Sequence, residues 1–524
     1  MNRRKFLVAS AATSALCAVH SSACAGLFEE SQEAATPKER LSPALVETTA
    51  DQFREKLRRD PLRPQFHLLA KANWMNDPCA PRFFRGHYHM FFQSNPGAAV
   101  WGDMHWSHAI SPDLIYWKHM PMALSPTPGS YDADGCFTGS VFPDGESATV
   151  LYTAVSRSTV ALETIRGKGL REVQCLATST DADLRIWKKL DKPVLDSPPP
   201  GLKITGFRDP CPWKDGDIWY LGLGSGFPHV GGAVLLYRST DGRKWSYLHP
   251  LAQGNSPADT GEMWECPDFF PVGDKHVLLY SAKHKVHWEV GTFDRRELLF
   301  HSETRGLLDH GSYYAAKSMV DAKGRRVLWG WVEETRSAEE CVAAGWAGAM
   351  ALPRVLTLGS DNELRMEVPP EFHSLRHNVQ SWQKADSTET VATALANLPI
   401  QTRAGMVVCT FKAGERAFGL ELGASGQSAP LFAIKYDNAI GKPSVTIADQ
   451  TLPLSPDRDG ISTLNLWMDG SVIETFVDNK AAMTARCYAP SSGDLHLAWR
   501  GETAGLKSLT VSGVTPISDE RLTT

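Results

Sequence analysis

The sequence predicts an all-β protein, a five-bladed β-propeller followed by a C-terminal β-sandwich. Three observations support this. From Phe66 onward, short apolar runs such as HYHMFFQ, TVLYTAV and IWYLGLGS follow one another between Gly, Pro and Asp turns, without helical periodicity. A turn pattern repeats within these runs. Past about residue 375, alternating strands such as AFGLELG, LFAIKYD and SVTIADQ are separated by polar turns, as in an antiparallel sandwich.

The repeat combines an Asp turn with an aromatic strand. Its three copies are Ser111 to Trp117, Ser179 to Trp187 and Ser239 to Trp245. Their Asp residues are 68 and 60 residues apart (181−113 and 241−181), enough for about four short strands with their loops. Four-stranded units repeated around an axis are propeller blades, and residues 66 to 370 would hold roughly five of them. The alternative is that this common turn recurs by chance.

These patterns divide the chain into four segments. Residues 1–25 begin with Arg3-Arg4 and Lys5, continue with an apolar run and end at the small residues Ala23-Cys24-Ala25, which predicts a signal peptide of the twin-arginine type. Residues 26–62 form a polar N-terminal extension with a short helix in ADQFREKLRRD, residues 63–370 the propeller and residues 371–524 the sandwich. The protein is therefore expected to be exported, to the periplasm or the medium, with a lipid anchor on Cys24 as the alternative.

Composition excludes several classes of partner. With 54 Lys and Arg against 59 Asp and Glu, the net charge is −5, so no nucleic-acid partner is expected. No later stretch approaches the roughly 18 apolar residues of a membrane span, so the mature protein is not expected to cross a membrane. Ten cysteines include no C-x-x-C pair, and disulfide pairing stays open, as does the oligomeric state. His87 and His89 have no acidic ligand nearby, and GLGSG lacks a following helix, so no metal or cofactor is expected.

Three acids stand out because each has a nearby proline and aromatic neighbours. They are Asp77 in NWMNDPCAP, Asp209 in GFRDPCPW and Glu265 in EMWECPDFF. Proline stiffens the backbone, and a partly dry pocket pushes carboxyl pKa values apart. Two such groups across a bond can serve as nucleophile and general acid, as in retaining glycoside cleavage. Asp60-Pro61 lies in the polar extension and is interpreted only as a turn.

These motifs resemble those of glycoside hydrolase family 32, the β-fructofuranosidases. WMNDP, FRDP and WECPD match its three signatures, and LDHGSYYAAKSM, RRVLWGWVEE and DGSVIETFVDN extend the resemblance over nearly all of the mature chain. The resemblance implies a five-bladed propeller with a sandwich behind it. It also implies that Asp77 is the nucleophile, that Glu265 is the general acid and base, and that Asp209 stabilises the transition state.

The same resemblance implies a fructose pocket. Its residues would be Trp74, Asn76, Gln93, Trp101, Thr138, Arg208 and Trp331. Trp101 and Trp331 have the alternative of being core aromatics.

The sequence departs from the family at three places. Cys79 and Ala80 stand where the family usually has Asn-Gly. The same variant resembles fungal members of the family, some of which transfer fructose to sugars. The effect of these two residues on the reaction is left open. Thr138 stands where Ser is commoner. WECPD resembles the motif of the acid invertases of plant cell walls, which implies an acidic working pH. Those enzymes also carry an Asp shortly after the motif that helps to hold sucrose. This chain has no counterpart of that Asp near Ala282 and Lys283.

The sequence thus predicts a retaining glycosidase that releases terminal β-D-fructofuranosyl residues from sucrose or fructans through a covalent intermediate, without metal or cofactor. The alternatives are a fructosyltransferase that makes fructo-oligosaccharides from sucrose, and a sugar-binding protein without activity. All three acids are present, which disfavours the latter. The choice among sucrose, inulin and levan stays open.

Overall fold

A computed structural model describes residues 53–142, 148–159, 169–383, 391–393, 395, 403–415, 417–424, 429–438, 443–488, 495–503 and 505–518. The predicted signal peptide and residues 26–52 of the predicted extension lie outside this range. The helix expected in the extension is present as α1, residues 53–59. At the Asp60-Pro61 turn, Asp60 Oδ1 accepts a hydrogen bond from the amide of Leu62 (2.9 Å), in agreement with its interpretation as a turn.

Five antiparallel sheets follow one another along the chain. Sheet I contains β1 (Asn73–Phe84), β2 (His87–Asn95), β3 (His105–Ser111) and β4 (Lys118–Leu124). Sheet II contains β5 (Gly135–Val141), β6 (Ala148–Arg157), β7 (Leu170–Ser179) and β8 (Lys188–Lys189). Sheet III contains β9 (Arg208–Asp215), β10 (Ile218–Phe227), β11 (Gly231–Ser239) and β12 (Ser246–Gln253). Helix α2 (Pro257–Thr260) precedes sheet IV, which contains β13 (Glu265–Val272), β14 (Lys275–Ala282), β15 (Lys285–Asp294) and β16 (Leu299–Leu307).

Sheet V and the strands around it complete this part of the chain. Its strands are β17 (Tyr313–Val320), β18 (Arg326–Val332), β20 (Ala349–Met350), β21 (Arg354–Leu358) and β22 (Leu364–Glu367). Helix α3 (Ala338–Ala344) and β19 (Trp346–Ala347) lie between β18 and β20, and β19 pairs in parallel with β1 of sheet I. The late strand β19 therefore forms the edge of the first sheet.

The first strands of the five sheets contact one another in a cycle. β1 contacts β5, β5 contacts β9, β9 contacts β13, β13 contacts β17 and β17 contacts β1. Middle strands are buried on both faces between neighbouring sheets, which explains near-continuous apolar runs such as AVLLY in β11. The repeated turn lies at the same place in three sheets, between the third and fourth strands, so the prediction that the repeat marks units of about four strands is confirmed.

Two further sheets form the C-terminal part. A 3-10 helix (Pro370–Leu375) leads into sheet VI, which contains β23 (Arg376–Gln383), β24 (Ala404–Lys412), β29 (Ile461–Asp469), β30 (Val472–Val477), β31 (Ala481–Arg486) and β33 (Leu506–Val514). Sheet VII contains β25 (Phe418–Ala424), β26 (Phe432–Asp437), β27 (Ser444–Ile447), β28 (Gln450–Pro453) and β32 (Leu495–Gly501). Apolar residues from both sheets fill one common core. Residues 391–393 are helical.

A fully buried ion network joins sheet VI to the rest of the chain. The two ring nitrogens of His67 contact Asp469 Oδ2 (2.7 Å) and Glu474 Oε1 (3.0 Å). Arg354 of β21 binds Asp309 (2.7 Å) and Glu474 (2.9 Å). These hydrogen bonds to Asp469 and Glu474 raise the pKa of His67 to about 9 against the effect of burial, so the imidazole is a cation between two carboxylates. Loss of one member would leave an uncompensated buried charge.

The described cysteines are all free thiols. The eight residues from Cys79 to Cys487 are buried and form no disulfide, which answers the question left open by the sequence. Among the described residues, no helix is long and apolar enough to cross a membrane.

Candidate active site

Each inner strand carries a bulge at a similar position, and the three predicted acids, Asn76 and Thr138 lie in or directly beside these bulges. In β1 the bulge holds Asn76 and Asp77, in β5 it includes Thr138, and in β9 it includes Asp209. In β13 it follows Glu265 directly, and β17 has the equivalent bulge after its second residue. A bulge adds a residue to one strand and re-aims the neighbouring side chains. The five bulges therefore bring residues from distant parts of the chain to one place.

Backbone amides released by the bulges connect neighbouring sheets. The amide of Asp209 donates to Thr153 Oγ1 of sheet II (2.8 Å), and the amide of Cys266 donates to Asp209 Oδ2 of sheet III (2.8 Å). The amide of Ala315 donates to Ser281 Oγ of sheet IV (3.0 Å). All three donors have positive φ, between 50° and 63°. The strained backbone is thus held by hydrogen bonds to the preceding sheet.

Asp77 is half-buried and held by four donors. Asn76 Nδ2 donates to its Oδ1 (3.1 Å), whereas Thr138 Oγ1 (2.5 Å), Gln93 Nε2 (3.3 Å) and Cys266 Sγ (3.5 Å) bind its Oδ2. Burial raises the pKa of Asp77 to about 6, and the negative charge of Glu265 adds to this, while the hydrogen bond from Thr138 opposes it. Near neutral pH the carboxylate is ionised and fixed in orientation.

Asp209 and Glu265 complete the predicted set of acids. Asp209 is only 3 % exposed, and burial raises its pKa to about 7 although the charge of Arg208 opposes the shift. Glu265 Oε1 accepts two hydrogen bonds from Arg208, from Nε (3.0 Å) and Nη2 (2.8 Å), and its Oε2 accepts one from Tyr314 (2.5 Å). Cys266 Sγ lies 3.5 Å from both Asp77 Oδ2 and Asp209 Oδ2. The structure thus brings the three acids together.

The predicted pocket residues surround this centre. Trp74 Nε1 donates to Asn76 Oδ1 (3.0 Å), and the ring of Trp74 lies 5.7 Å from that of Trp331. Trp101 is partly exposed and meets Phe137 edge to face at 5.9 Å. Trp331 is 2 % exposed and lies behind Trp74, so it forms a wall of the aromatic cluster.

Several side chains at the site were not predicted. Tyr314, which donates to Glu265, lies within LDHGSYYAAKSM, so the extended motif could have indicated it. Glu172 accepts a hydrogen bond from Arg208 Nη1 (2.8 Å), and nothing in its local sequence points to this contact. His284 contacts Glu333 (2.9 Å), which raises the pKa of the imidazole, and lies 6.0 Å from the ring of Tyr314.

The departures from the family pattern have clear positions. Cys79 and Ala80 are 0 % and 1 % exposed and face the apolar core, with Cys79 Sγ 3.5 Å from the carbonyl oxygen of Asp77. Lys283 lies in the β14–β15 hairpin, where its Nζ donates to the carbonyl of Ala258 (2.8 Å).

His89 and His108 contact each other (3.0 Å), and the described residues contain no group of His, Cys, Asp and Glu side chains arranged to hold a metal ion.

The fold and the three neighbouring acids are those expected of a glycosidase, and the relatives of the protein show that it is one of the β-fructofuranosidase type. Comparison with known sequences identifies the family. Residues 67–368 match the glycosyl hydrolases family 32 N-terminal domain, and residues 371–513 match the family's C-terminal domain. The chain belongs to glycosyl hydrolase family 32.

Relatives of known function agree with this assignment. Sucrose-6-phosphate hydrolase of Escherichia coli is 35% identical over 469 residues, which cover 83% of this chain and 91% of the relative. Raffinose invertase of Escherichia coli is 33% identical over 81% of this chain and 89% of its own. The β-fructofuranosidase of Bombyx mori superposes with a TM-score of 0.75 at 26% identity, over 91% of this chain and 98% of that one. Fructan 1-exohydrolase IIa of Cichorium intybus gives a TM-score of 0.73 at 27% identity, over 87% and 98%.

Proposed function

We propose that this chain is a retaining β-fructofuranosidase that releases terminal β-D-fructofuranosyl residues from sucrose or fructans. In this proposal sheets I–V close into a five-bladed propeller, residues 63–370, and residues 371–524 form a sandwich behind it. The cyclic contacts of β1, β5, β9, β13 and β17 support closure, as does the pairing of β19 with β1.

The observation that carries the proposal is that three acids from three different sheets meet at one place. Cys266 Sγ lies 3.5 Å from both Asp77 Oδ2 and Asp209 Oδ2, and Arg208, next to Asp209 in the chain, binds Glu265 Oε1 at 2.8 Å. The charge of Glu265 raises the pKa of both Asp77 and Asp209, although the three residues are far apart in the sequence. A binding protein gains nothing from mutually repelling acids, whereas a glycosidase needs one ionised and one protonated carboxyl group at the scissile bond.

In the first step, Asp77 attacks the anomeric carbon of the fructosyl unit. Its Oδ1 has a single donor, Asn76, whereas Oδ2 has three, so Oδ1 is the oxygen with lone pairs left for attack. As the ester bond forms and the glycosidic C–O bond breaks, Glu265 gives its proton to the leaving oxygen. Asp209 binds fructose hydroxyl groups and stabilises the positive charge that develops on the ring.

In the second step, Glu265 takes a proton from water, and the resulting hydroxide attacks the same carbon and releases Asp77. The hydrogen bonds from Arg208 and Tyr314 favour the ionised Glu265 that this step requires. Two displacements restore the configuration at the anomeric carbon.

The substrate assignment rests on the relatives. Their names include hydrolysis of sucrose 6-phosphate, raffinose and fructan, and a mutant of the Bombyx mori enzyme has been solved in complex with sucrose. Trp74 and the partly exposed Trp101 offer apolar faces for a sugar ring, and Asn76, Gln93 and Thr138 offer polar groups for its hydroxyls.

Transfer of fructose to another sugar is the alternative reaction of the same intermediate. Cys79 and Ala80 are buried beneath Asp77, so they have no surface with which to touch an acceptor. Any influence of these two residues on acceptor choice would act through the position of Asp77.

The test combines variants with product analysis. Asp77→Ala and Glu265→Gln should each lower turnover of sucrose and inulin by at least about 10³-fold, a loss typical of a residue that acts in the transition state. Retained turnover in either variant would contradict the assignment. Sucrose, sucrose 6-phosphate, inulin and levan should be compared as substrates. Equal release of glucose and fructose from sucrose indicates hydrolysis, whereas a large fructose deficit indicates transfer.

We also propose export by the twin-arginine route, on the basis of Arg3 and Arg4. Replacing both with Lys should retain the protein in the cytoplasm, as measured by cell fractionation.

A further inference from the structure

A second cavity lies at the far end of the inner strands. Beyond their bulges, β1, β5, β9, β13 and β17 continue and enclose a space of about 550 Å³. Buried Cys79 and Cys266 lie along these strands between the candidate active site and this space, whereas Cys211 and Lys317 already line it. The volume falls in the range of small-molecule pockets, about 300 to 1,000 Å³. This far-end cavity is therefore large enough for a ligand and distinct from the fructose pocket.

The charge of the far-end cavity is positive. Its charged lining residues comprise two acids, Asp215 and Asp268, and five cations, Arg82, Lys214, Arg295, Lys317 and Arg326. The formal charge of this lining is +3 (five minus two), within a chain whose net charge is −5. The far-end cavity thus differs in sign from the protein as a whole.

Both acids already have partners. Asp215 pairs with Arg295 at 2.7 Å. Asp268 Oδ2 accepts hydrogen bonds from the amide (2.8 Å) and the hydroxyl (2.6 Å) of Ser318. Lys317 Nζ donates to the carbonyl oxygen of Pro267 (2.7 Å). The positive charge that remains is concentrated on the other cations.

Arg326 is a partly buried cation of this lining with incomplete hydrogen bonding. Its guanidinium lies 4.4 Å from the ring centre of Phe270, and Nη1 makes a long hydrogen bond of 3.4 Å to Ser318 Oγ. Among the described residues Arg326 takes part in no direct ion pair, and its buried Nε has no hydrogen-bond partner. The Asp268 carboxylate acts on Arg326 only through space and through the shared Ser318 hydroxyl. A guanidinium held in a concave site without a direct ion pair is suited to a planar or tetrahedral oxyanion, which it can bind with two parallel hydrogen bonds.

The aromatic side chains of the far-end cavity set a second requirement for its ligand. Trp213, Phe269 and Phe293 line the same space, and their rings contact one another at 5.1 to 6.5 Å. Such walls favour a ligand that has an apolar face in addition to its charge.

We propose that the far-end cavity binds a small organic molecule that carries a phosphate or carboxylate group, with Arg326 as the residue that binds the anion. The ligand enters from the side opposite to the fructose pocket. This site does not depend on the reaction proposed above.

The test measures binding of inorganic phosphate and, separately, citrate to the full chain by titration calorimetry at constant ionic strength, with chloride as the reference anion. Arg326→Met removes the charge but keeps an apolar side chain over Phe270. Arg295→Met is the matched control, because Arg295 lines the same cavity but already pairs with Asp215. We expect saturable binding of at least one probe, weakened tenfold or more by Arg326→Met and less than threefold by Arg295→Met.

Three results would overturn the proposal. These are no saturable binding of either probe, equal weakening in both variants, and displacement of the probe by fructose, which would place the anion in the fructose pocket beside Arg208. Sucrose turnover of Arg326→Met should stay within twofold of the parent chain. Circular dichroism and the melting temperature show whether Arg326→Met folds. If it does not, Arg82→Met tests the same anion site and should weaken binding at least threefold. Unchanged binding in Arg82→Met would then overturn the proposal.

Discussion

The hydrogen bond from Thr138 to Asp77 gives a sharp prediction about the pH dependence of the reaction. Thr138→Val keeps the shape of the side chain but removes the hydroxyl that donates to Asp77 Oδ2 at 2.5 Å. This bond stabilises the ionised carboxylate and opposes the effect of burial, which raises the pKa of Asp77 to about 6. Without the hydroxyl, the pKa of Asp77 should rise further.

The size of the change follows from the charge on the acceptor. A hydrogen bond to a charged group contributes about 1.5 to 3 kcal/mol, and one pKa unit corresponds to about 1.4 kcal/mol. The pKa of Asp77 should therefore rise by about one to two units. Because the nucleophile acts only when ionised, kcat/KM is lost as pH falls through this pKa, and the acid limb should move from about pH 6 to about pH 7 to 8.

The assay is kcat/KM for sucrose between pH 4 and pH 9 for three proteins. At pH 6, where about half of Asp77 is ionised in the parent chain but only about a tenth or less in the variant, Thr138→Val should lose about fivefold or more of its kcat/KM relative to the parent. Thr138→Ser keeps the hydroxyl and is the control, so its acid limb should stay where it is in the parent chain. An unmoved acid limb in Thr138→Val, or an equal shift in both variants, would refute the reasoning.

Three further predictions concern other buried groups. Tyr314→Phe removes the donor 2.5 Å from Glu265 Oε2. Because this hydrogen bond stabilises the ionised carboxylate, its loss should favour the protonated acid and move the alkaline limb of kcat/KM to higher pH, and an unchanged limb would count against this role. The pKa of His67 is raised to about 9 from 6.5, so its contribution to stability, about 3 kcal/mol, is present below pH 6.5 and lost as pH rises through 9. His67→Gln should therefore be least stable relative to the parent at low pH, and a difference in melting temperature that does not vary from pH 6 to pH 10 would contradict this. Finally, the eight described thiols should react with a thiol reagent only after unfolding, because they are buried. Burial also raises the pKa of the thiol, in Cys409 for example to about 12. Rapid reaction of the native chain would argue against this packing.

The repeat could be predicted from the sequence only in part. Three of the five sheets keep the Ser and Trp that made the pattern visible. In sheet IV, Asp294 Oδ1 accepts two backbone hydrogen bonds in the equivalent turn, and in sheet V Asp361 Oδ1 accepts one, but the surrounding residues differ. The turn needs only the carboxylate, so the other positions were free to change and the last two copies were not recognised.

The three acids were predictable because each stands in a distinctive local motif with a proline. Glu172 and Thr153 were not, because each acts on a residue of another sheet: Glu172 binds Arg208, and Thr153 accepts from the amide of Asp209. Such contacts depend on how sheets meet, which local sequence does not encode. Cys79 shows the opposite case, in which the sequence makes a residue stand out but does not tell where it lies. Its departure from the family pattern is visible in the sequence, whereas its burial in the core is visible only in the structure.

The pairing of β19 with β1 bears on the order of events during synthesis. Asn73 lies beside Trp346, 273 residues later (346−73), so the edge of the first sheet is completed by one of the last segments of this part of the chain. A nascent chain that has passed Glu265 but not Trp346 already contains all three acids, yet β1 is paired only with β2 and still lacks β19 on its other side. We expect ribosome-released fragments of that length to be inactive. If the proposed function holds, activity would await the pairing of β19 with β1, which comes late in the synthesis of sheets I to V.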